Sequence, residues 1–275
     1  MNIIKFLDEF TNESLEEKKS SRRDMFGTLG SLSKKAAMAA IPLGLASMPN
    51  KSYAYQTSSD PVSALQLALT LEYLEDEFYD LALASGVITD PAVEIVYEQI
   101  SKHEQAHVDF LIQGLEGAGA TPIEKPVFDF TAGGAFDPFN ENGTGQDDAY
   151  AQLLALAQAF EDTGVRAYKG QAGNLQGSDF LTVGLQIHSV EARHASEIRR
   201  IRNLKGWIVR NERGPNMPQQ TQAVYDGEEN VTQAGIDVRT LGDGSPFSLD
   251  ASTEAYDETL TGAEAEAIAS LFIVS

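Results

Sequence analysis

Ile100-Ser101-Lys102-His103-Glu104-Gln105-Ala106-His107-Val108 and Ile187-His188-Ser189-Val190-Glu191-Ala192-Arg193-His194-Ala195 decide the fold between them. Each stretch places a glutamate and a histidine three residues apart, so on a helix both side chains leave one face, a turn apart. Each pair also interrupts an apolar stripe. Val93, Tyr97, Ile100, Leu111 and Leu115 recur at spacings of three or four around the first pair. Phe180, Gly184, Ile187, Ile198 and Ile201 do so around the second. An amphipathic helix turns such a stripe toward the core. Ionised groups in the middle of it need a partner of opposite charge, because burial and mutual repulsion otherwise drive carboxylates to protonate.

Two further stripes supply one glutamate each. One runs through Leu65, Leu69, Glu72, Tyr79 and Leu83, the other through Tyr150, Leu154, Glu161, Val165 and Tyr168. In both, a tyrosine follows the glutamate by two helical turns, placed to donate a hydrogen bond to a carboxylate across the bundle. Glu75 and Asp76 fall in the same broad arc as Glu72 and compete with it. An internal repeat separates them. A shift of 89 residues carries Leu65 to Leu154, Glu72 to Glu161 and Tyr79 to Tyr168, but Glu75 to Gly164 and Asp76 to Val165. A shift of 87 carries Ile100 to Ile187, Glu104 to Glu191, His107 to His194 and Leu111 to Ile198. Only Glu72 has a matching carboxylate.

The candidate metal ligands are therefore Glu72, Glu104, His107, Glu161, Glu191 and His194, with Tyr79 and Tyr168 as the phenols that tune them. Four glutamates and two divalent cations make a formally neutral centre. Carboxylate and imidazole donors suit iron or manganese, and zinc is compatible. Two iron or manganese ions are the expected cofactors. In the expected arrangement Glu104 and Glu191 bridge the ions, Glu72 and Glu161 are terminal, and each histidine completes one ion. His103, His188 and Asp162 are expected at the surface or behind the ligands.

Helix starts are well marked. Asp60-Pro61 and Asp90-Pro91 each pair a capping side chain with a proline in the first turn. The reading gives four helices, about 61–84, 91–117, 147–173 and 179–204. The first two and the last two are joined by short connections, whereas about thirty residues, 118–146, separate the pairs. Short links make antiparallel hairpins, and one long central connection gives the ferritin-like version of the four-helix bundle. The expected fold is all-α, with that crossover lying along the bundle surface and pinned by Phe128, Phe130, Phe136 and Phe139. Residues 206–258 are rich in Gly, Asn, Gln, Thr and Asp and lack a sustained period, so 206–275 reads as an irregular tail. Trp207 and Ile208 are expected to dock it on the bundle. Thr261 and Glu264 form a capping-box pattern ahead of a short last helix.

The formal net charge is -21, and there is no cysteine. Thiolate ligation, iron–sulfur clusters and cysteine nucleophiles are excluded. Residues 1–54 hold eight basic and six acidic side chains, leaving 12 basic and 35 acidic in the rest. Such a surface repels phosphate backbones, so nucleic acid is not an expected partner. Ser20-Ser21-Arg22-Arg23-Asp24-Met25-Phe26 has a twin-arginine pattern, Ala36 to Ala46 is a modest apolar run, and Ser52-Tyr53-Ala54 is a small-x-small cleavage site. Residues 1–54 read as an export signal cut near Ala54, with the bundle at 55–205 exported to the periplasm by the twin-arginine machinery.

Leu71-Glu72-Tyr73-Leu74-Glu75 through Phe78-Tyr79, His103-Glu104-Gln105-Ala106-His107 and Glu191-Ala192-Arg193-His194 resemble the ferritin-like domain family of exported bacterial proteins. Plant desiccation-related and fungal stress-induced proteins are relatives. The resemblance spans about Asp60 to Leu204. It implies a di-metal carboxylate protein that reacts with peroxide or dioxygen, or that oxidises iron(II). Its partners would be metal ions and small oxygen species, and homo-oligomers are compatible with it. A stress or envelope protein with purely structural metals, and a metal store, are the other readings. Rubrerythrins also reduce peroxide but need a cysteine-ligated iron that this chain lacks, while manganese catalases need no external electron donor.

Overall fold

The computed structural model describes residues 60–215, 217–242 and 247–274. The leader read at 1–54 lies outside the described residues. Four long helices form the bundle: α1 (Pro61–Ala84), α2 (Pro91–Gly117), α3 (Gln146–Gln171) and α4 (Phe180–Ile201). The first two begin as the sequence indicates. Asp60 accepts from the Ser63 amide at 3.0 Å and Asp90 from the Ala92 amide at 2.9 Å, each satisfying a donor left free in the first turn. The helices α3 and α4 begin without a side-chain cap, at Gly145 and Asp179. Their starts are held by tertiary packing instead. Among the described residues no helix is long and apolar enough to cross a membrane.

The packing is that of two hairpins, α1 with α2 and α3 with α4. The hairpins meet closely along α1 and α3 and only sparsely along α2 and α4. Every residue from Leu153 to Tyr168 is buried. A helix covered on all sides needs neighbours on all sides, and α3 obtains them from both hairpins, the crossover and the tail. By contrast, α2 and α4 each keep a solvated face.

The crossover lies on the α1–α3 side. Phe130 and Phe136 are buried there, with Phe128 and Phe139 packed beside them. Phe78 of α1 meets Phe160 of α3 edge-on at 5.1 Å, and Phe130 and Phe139 close over it at 5.4 and 5.6 Å. The tail is less irregular than its composition indicates. It contains a tight hairpin of β1 (Thr232–Gln233) and β2 (Ile236–Asp237), and the short helices α5 (Leu249–Thr253) and α6 (Gly262–Ala269). The hairpin turn, Ala234-Gly235, has both φ values positive, which fits the twist of paired strands. The expected capping box at Thr261 and Glu264 forms. After α6 the chain returns to the crossover: the Asp129 amide donates to the Phe272 carbonyl, and the Val274 amide to that of Val127.

The tail covers α3 closely. The Leu260 amide donates to the Arg166 carbonyl at 3.1 Å. A Cβ on Gly170 would lie 1.8 Å from the Leu260 carbonyl oxygen, so this approach requires glycine. Ile208 docks as expected, but Trp207 does not: its side chain is 46% exposed. Ile208 shares its cluster with Met217, Val224, Tyr225 and Leu260, and these smaller side chains fill the contact without the indole.

Candidate metal centre

Each long helix delivers its glutamate to one level of the bundle. Glu72, Glu104, Glu161 and Glu191 are wholly buried, and His107 and His194 nearly so. The six residues fall into two groups of four. Glu72, Glu104, His107 and Glu191 form one, and Glu104, Glu161, Glu191 and His194 the other. Within each group one donor atom per residue lies within 4.8 Å of all the others. Glu104 and Glu191 belong to both.

The polar atoms converge on common points rather than on one another. The Nδ1 atom of His107 lies 3.1 Å from Glu72, 2.9 Å from Glu104 and 3.2 Å from Glu191. One ring N–H cannot serve three carboxylates. The Nδ1 atom of His194 lies 2.8 Å from Glu104 and 3.2 Å from Glu161, yet it lacks an aligned hydrogen bond. Glu104 Oε1, Glu161 Oε2 and both Glu191 oxygens are likewise buried without a hydrogen-bond partner among the described residues. Buried carboxylate oxygens are costly when unpartnered. Buried oxygen and imidazole donors gathered in this way are compatible with metal binding.

The electrostatics carry the same message. Burial, then the Glu191 charge, raises Glu104 to about 7, against the pull of both histidines. Burial and the Glu72 charge raise Glu191 to about 8. Burial also raises Glu161. For His194, burial works downward, but the surrounding carboxylates, Glu161 foremost, raise it to about 11. For His107 too burial works downward, but the close carboxylates of Glu104, Glu191 and Glu72 outweigh it and raise the imidazole well above its usual range.

The two tyrosines cross the bundle reciprocally. Tyr168 of α3 donates to Glu72 of α1 at 2.5 Å, and Tyr79 of α1 donates to Glu161 of α3. Burial and the neighbouring carboxylates hold both phenols well above their usual pKa, so they remain donors. A model of the ferritin-like domain family matches residues 60–204, the span that carries all of these groups. The chain belongs to that family. A search of curated proteins found no match. Among solved structures, a conserved hypothetical protein from Mycobacterium tuberculosis is similar at 19% identity and a TM-score of 0.41, over 50% of this chain and 94% of that one.

On the α2–α4 side of this ferritin-like domain a groove of about 620 Å³ opens to the surface, bordered by Gln99, His103, His107, Arg193, His194 and Glu197. His103 stacks on His194 with ring centroids 5.1 Å apart, and its Nδ1 lies 2.9 Å from His194 Nε2. His188, in contrast, faces away, its Nδ1 3.0 Å from the Val165 carbonyl. Asp162, next to Glu161, turns outward to the Arg199 guanidinium and the Tyr225 hydroxyl and ties the tail to α3 and α4.

The sequence reading did not find the groove residues Gln99 and Arg193 or the buried Arg166. Arg166 is 1% exposed, paired with Glu228 at 2.7 Å, and donates to the tail carbonyls of Val224, Asp226 and Glu258. Its partners lie in a segment without periodicity, so no pattern announced it.

Proposed function

We propose that this ferritin-like domain holds two iron or manganese ions and uses them to react with peroxide or dioxygen, or to oxidise iron(II). The observation that carries the reading is the groove that reaches both histidines of the cluster. A purely structural metal pair needs no opening. The crossover packs on the α1–α3 side and the tail along α3, and neither contributes to the lining of the groove.

Glu104 and Glu191 would bridge the ions, Glu72 and Glu161 would bind one each, and His107 and His194 would complete the two sites. A bound redox-active pair supplies electron transfer and polarises oxygen species entering from the groove. The protein orients these ligands. Tyr79 and Tyr168 each occupy one lone pair of a terminal carboxylate and so fix its direction. If His194 binds through Nδ1, its Nε2 carries the proton and donates to His103 Nδ1. His103 then carries its own proton on Nε2, 2.8 Å from the Gln99 side-chain amide. The structure has the Gln99 Nε2 donor at that distance, so a turn of the amide that presents its oxygen would complete a polar line from ligand to groove.

The reading includes export to the cell envelope by the twin-arginine route. Arg22→Lys with Arg23→Lys should leave the protein in the cytoplasm, and N-terminal sequencing of exported protein should begin near Tyr55. The reaction itself is tested by loading the protein with iron or manganese and following peroxide disproportionation and iron(II) oxidation. Activity in either assay is expected, lost in Glu104→Ala at matched folding. Inactivity of both loaded forms would leave a structural role for the metals.

A further inference from the structure

Glu75 is a fifth buried carboxylate beside the six residues already described. It lies one turn after Glu72 on α1, is 2% exposed, and its Oε2 lacks a hydrogen-bond partner among the described residues.

Its place depends on a departure from the internal repeat. The residue equivalent to Glu75 in the second half is Gly164. A Cβ on Gly164 would lie 3.0 Å from Glu191 Oε2 and 3.3 Å from Glu75 Oε1. The absent side chain on α3 thus leaves the space in which the two carboxylates approach each other. Gly164 is helical and has no positive φ, so its backbone does not require glycine. In the interior of a helix glycine costs about 1 kcal/mol relative to alanine. Room for Glu75 and Glu191 is the benefit visible here.

We propose that Glu75 is a seventh protein ligand of the centre, binding the Glu72–His107 ion from the α1–α3 side, in space that Gly164 keeps open. The argument rests on the metal centre proposed above and deepens it. Glu75 stands outside both groups of four in the described arrangement, so it binds by turning toward the ion. Its side is set by its neighbours. It shares α1 with Glu72, one helical turn away, and Glu72 belongs to the Glu72–His107 group. The two halves then differ chemically. The Glu72–His107 ion has a carboxylate beyond those of the Glu161–His194 ion, and five glutamates leave the divalent pair one negative charge in excess.

The test uses the full chain loaded with Co(II), whose visible absorption strengthens as its coordination number falls. Wild type, Glu75→Gln and Gly164→Ala are titrated by calorimetry and absorption. Glu75→Gln removes a repulsive buried charge while keeping the shape, so it should fold. One of its two ions should bind about 10- to 100-fold more weakly, and the absorption of that ion should change, while the other ion is unaffected. Gly164→Ala, which crowds the same carboxylate, should weaken the same ion. Two Co(II) ions with wild-type affinities and spectra in Glu75→Gln would overturn the assignment of Glu75 and leave the six-residue centre standing. Failure of the folded wild type to take up Co(II) would overturn both.

Discussion

The α1–α3 and α2–α4 faces of this bundle are built from equivalent helices of two similar halves, yet they have opposite fates. The α1–α3 face is sealed by a phenylalanine cluster, by the crossover and by a tail anchored on Arg166. The α2–α4 face is left open, and its groove ends on His103, His107 and His194. The repeat supplies four carboxylates and two histidines at one level. The segments outside the repeat, crossover and tail, decide from which side the site can be reached. Stability is concentrated on one face and access on the other.

The largest expected effect breaks the link between the faces. Glu104 belongs to both groups of ligands, so Glu104→Ala should abolish binding of both ions, read by elemental analysis. With metal at 100 times the Kd of each site, about 2.7 kcal/mol of stabilisation per ion, about 5 kcal/mol for the pair, should vanish with it. The metal-free variant should be at least as stable as metal-free wild type, because one of several repelling buried carboxylates is gone. A metal-free variant that does not fold would mean that Glu104 is needed for packing itself.

The sealed face is tested by Arg166→Met. The change leaves Glu228 buried without its cation, a loss on the order of 3–5 kcal/mol, and it frees the carbonyls of Val224, Asp226 and Glu258. Denaturant unfolding should show the loss, and limited proteolysis should cut the tail first. Metal affinity should stay near that of wild type. A large fall in affinity would show that the two faces are not independent.

Titration sharpens the contrast. Glu104 and Glu191 are raised from 4.5 to about 7 and about 8, and His194 from 6.5 to about 11. In each case the folded metal-free protein holds protons that the unfolded chain has already released. Stability therefore falls with rising pH, from 4.5 to about 8 for the carboxylates and from 6.5 to about 11 for His194. Metal competes with those protons, so its affinity should rise over the same range. Melting curves from about pH 5 to pH 9 should show the metal-free protein weakening and the gap to the loaded protein widening. Parallel curves would contradict the assignment of these groups as ligands.

The legible part of the molecule was the part with a period. Asp60-Pro61 and Asp90-Pro91 announced α1 and α2, and the Glu-x-x-His pairs stood out because they interrupt apolar stripes. The repeat singled out Glu72 but could not show that Glu75 is buried beside it, since both fall in one broad arc. The starts of α3 and α4 fall within one residue of the sequence reading although neither has a side-chain cap. The tail escaped because its anchors are single residues. Arg166 and Asp162 meet carbonyls and side chains about 60 or more positions away, and helical periodicity does not encode such pairs. Trp207 misled for the same reason: a large aromatic in an aperiodic segment is no guide to which neighbour fills the contact.

The smallest effect is expected at the hydroxyls. Tyr79→Phe removes one hydrogen bond to Glu161 and keeps the ring packed against Phe78 and Tyr97. It should cost about 0.5–1.5 kcal/mol. Metal content should not change, while the rate of peroxide disproportionation or iron(II) oxidation falls several-fold. An unchanged rate would confine the hydroxyl to a structural role.

The central claim is the pair of ions between Glu72, Glu104, His107, Glu161, Glu191 and His194. Its most direct test is a crystal structure of the protein loaded with iron(II) or manganese(II), with anomalous maps recorded on either side of the metal absorption edge. Two peaks are expected per chain, one in each group of four, with Glu104 and Glu191 touching both. A folded chain that shows no peak among these residues at saturating metal would contradict it.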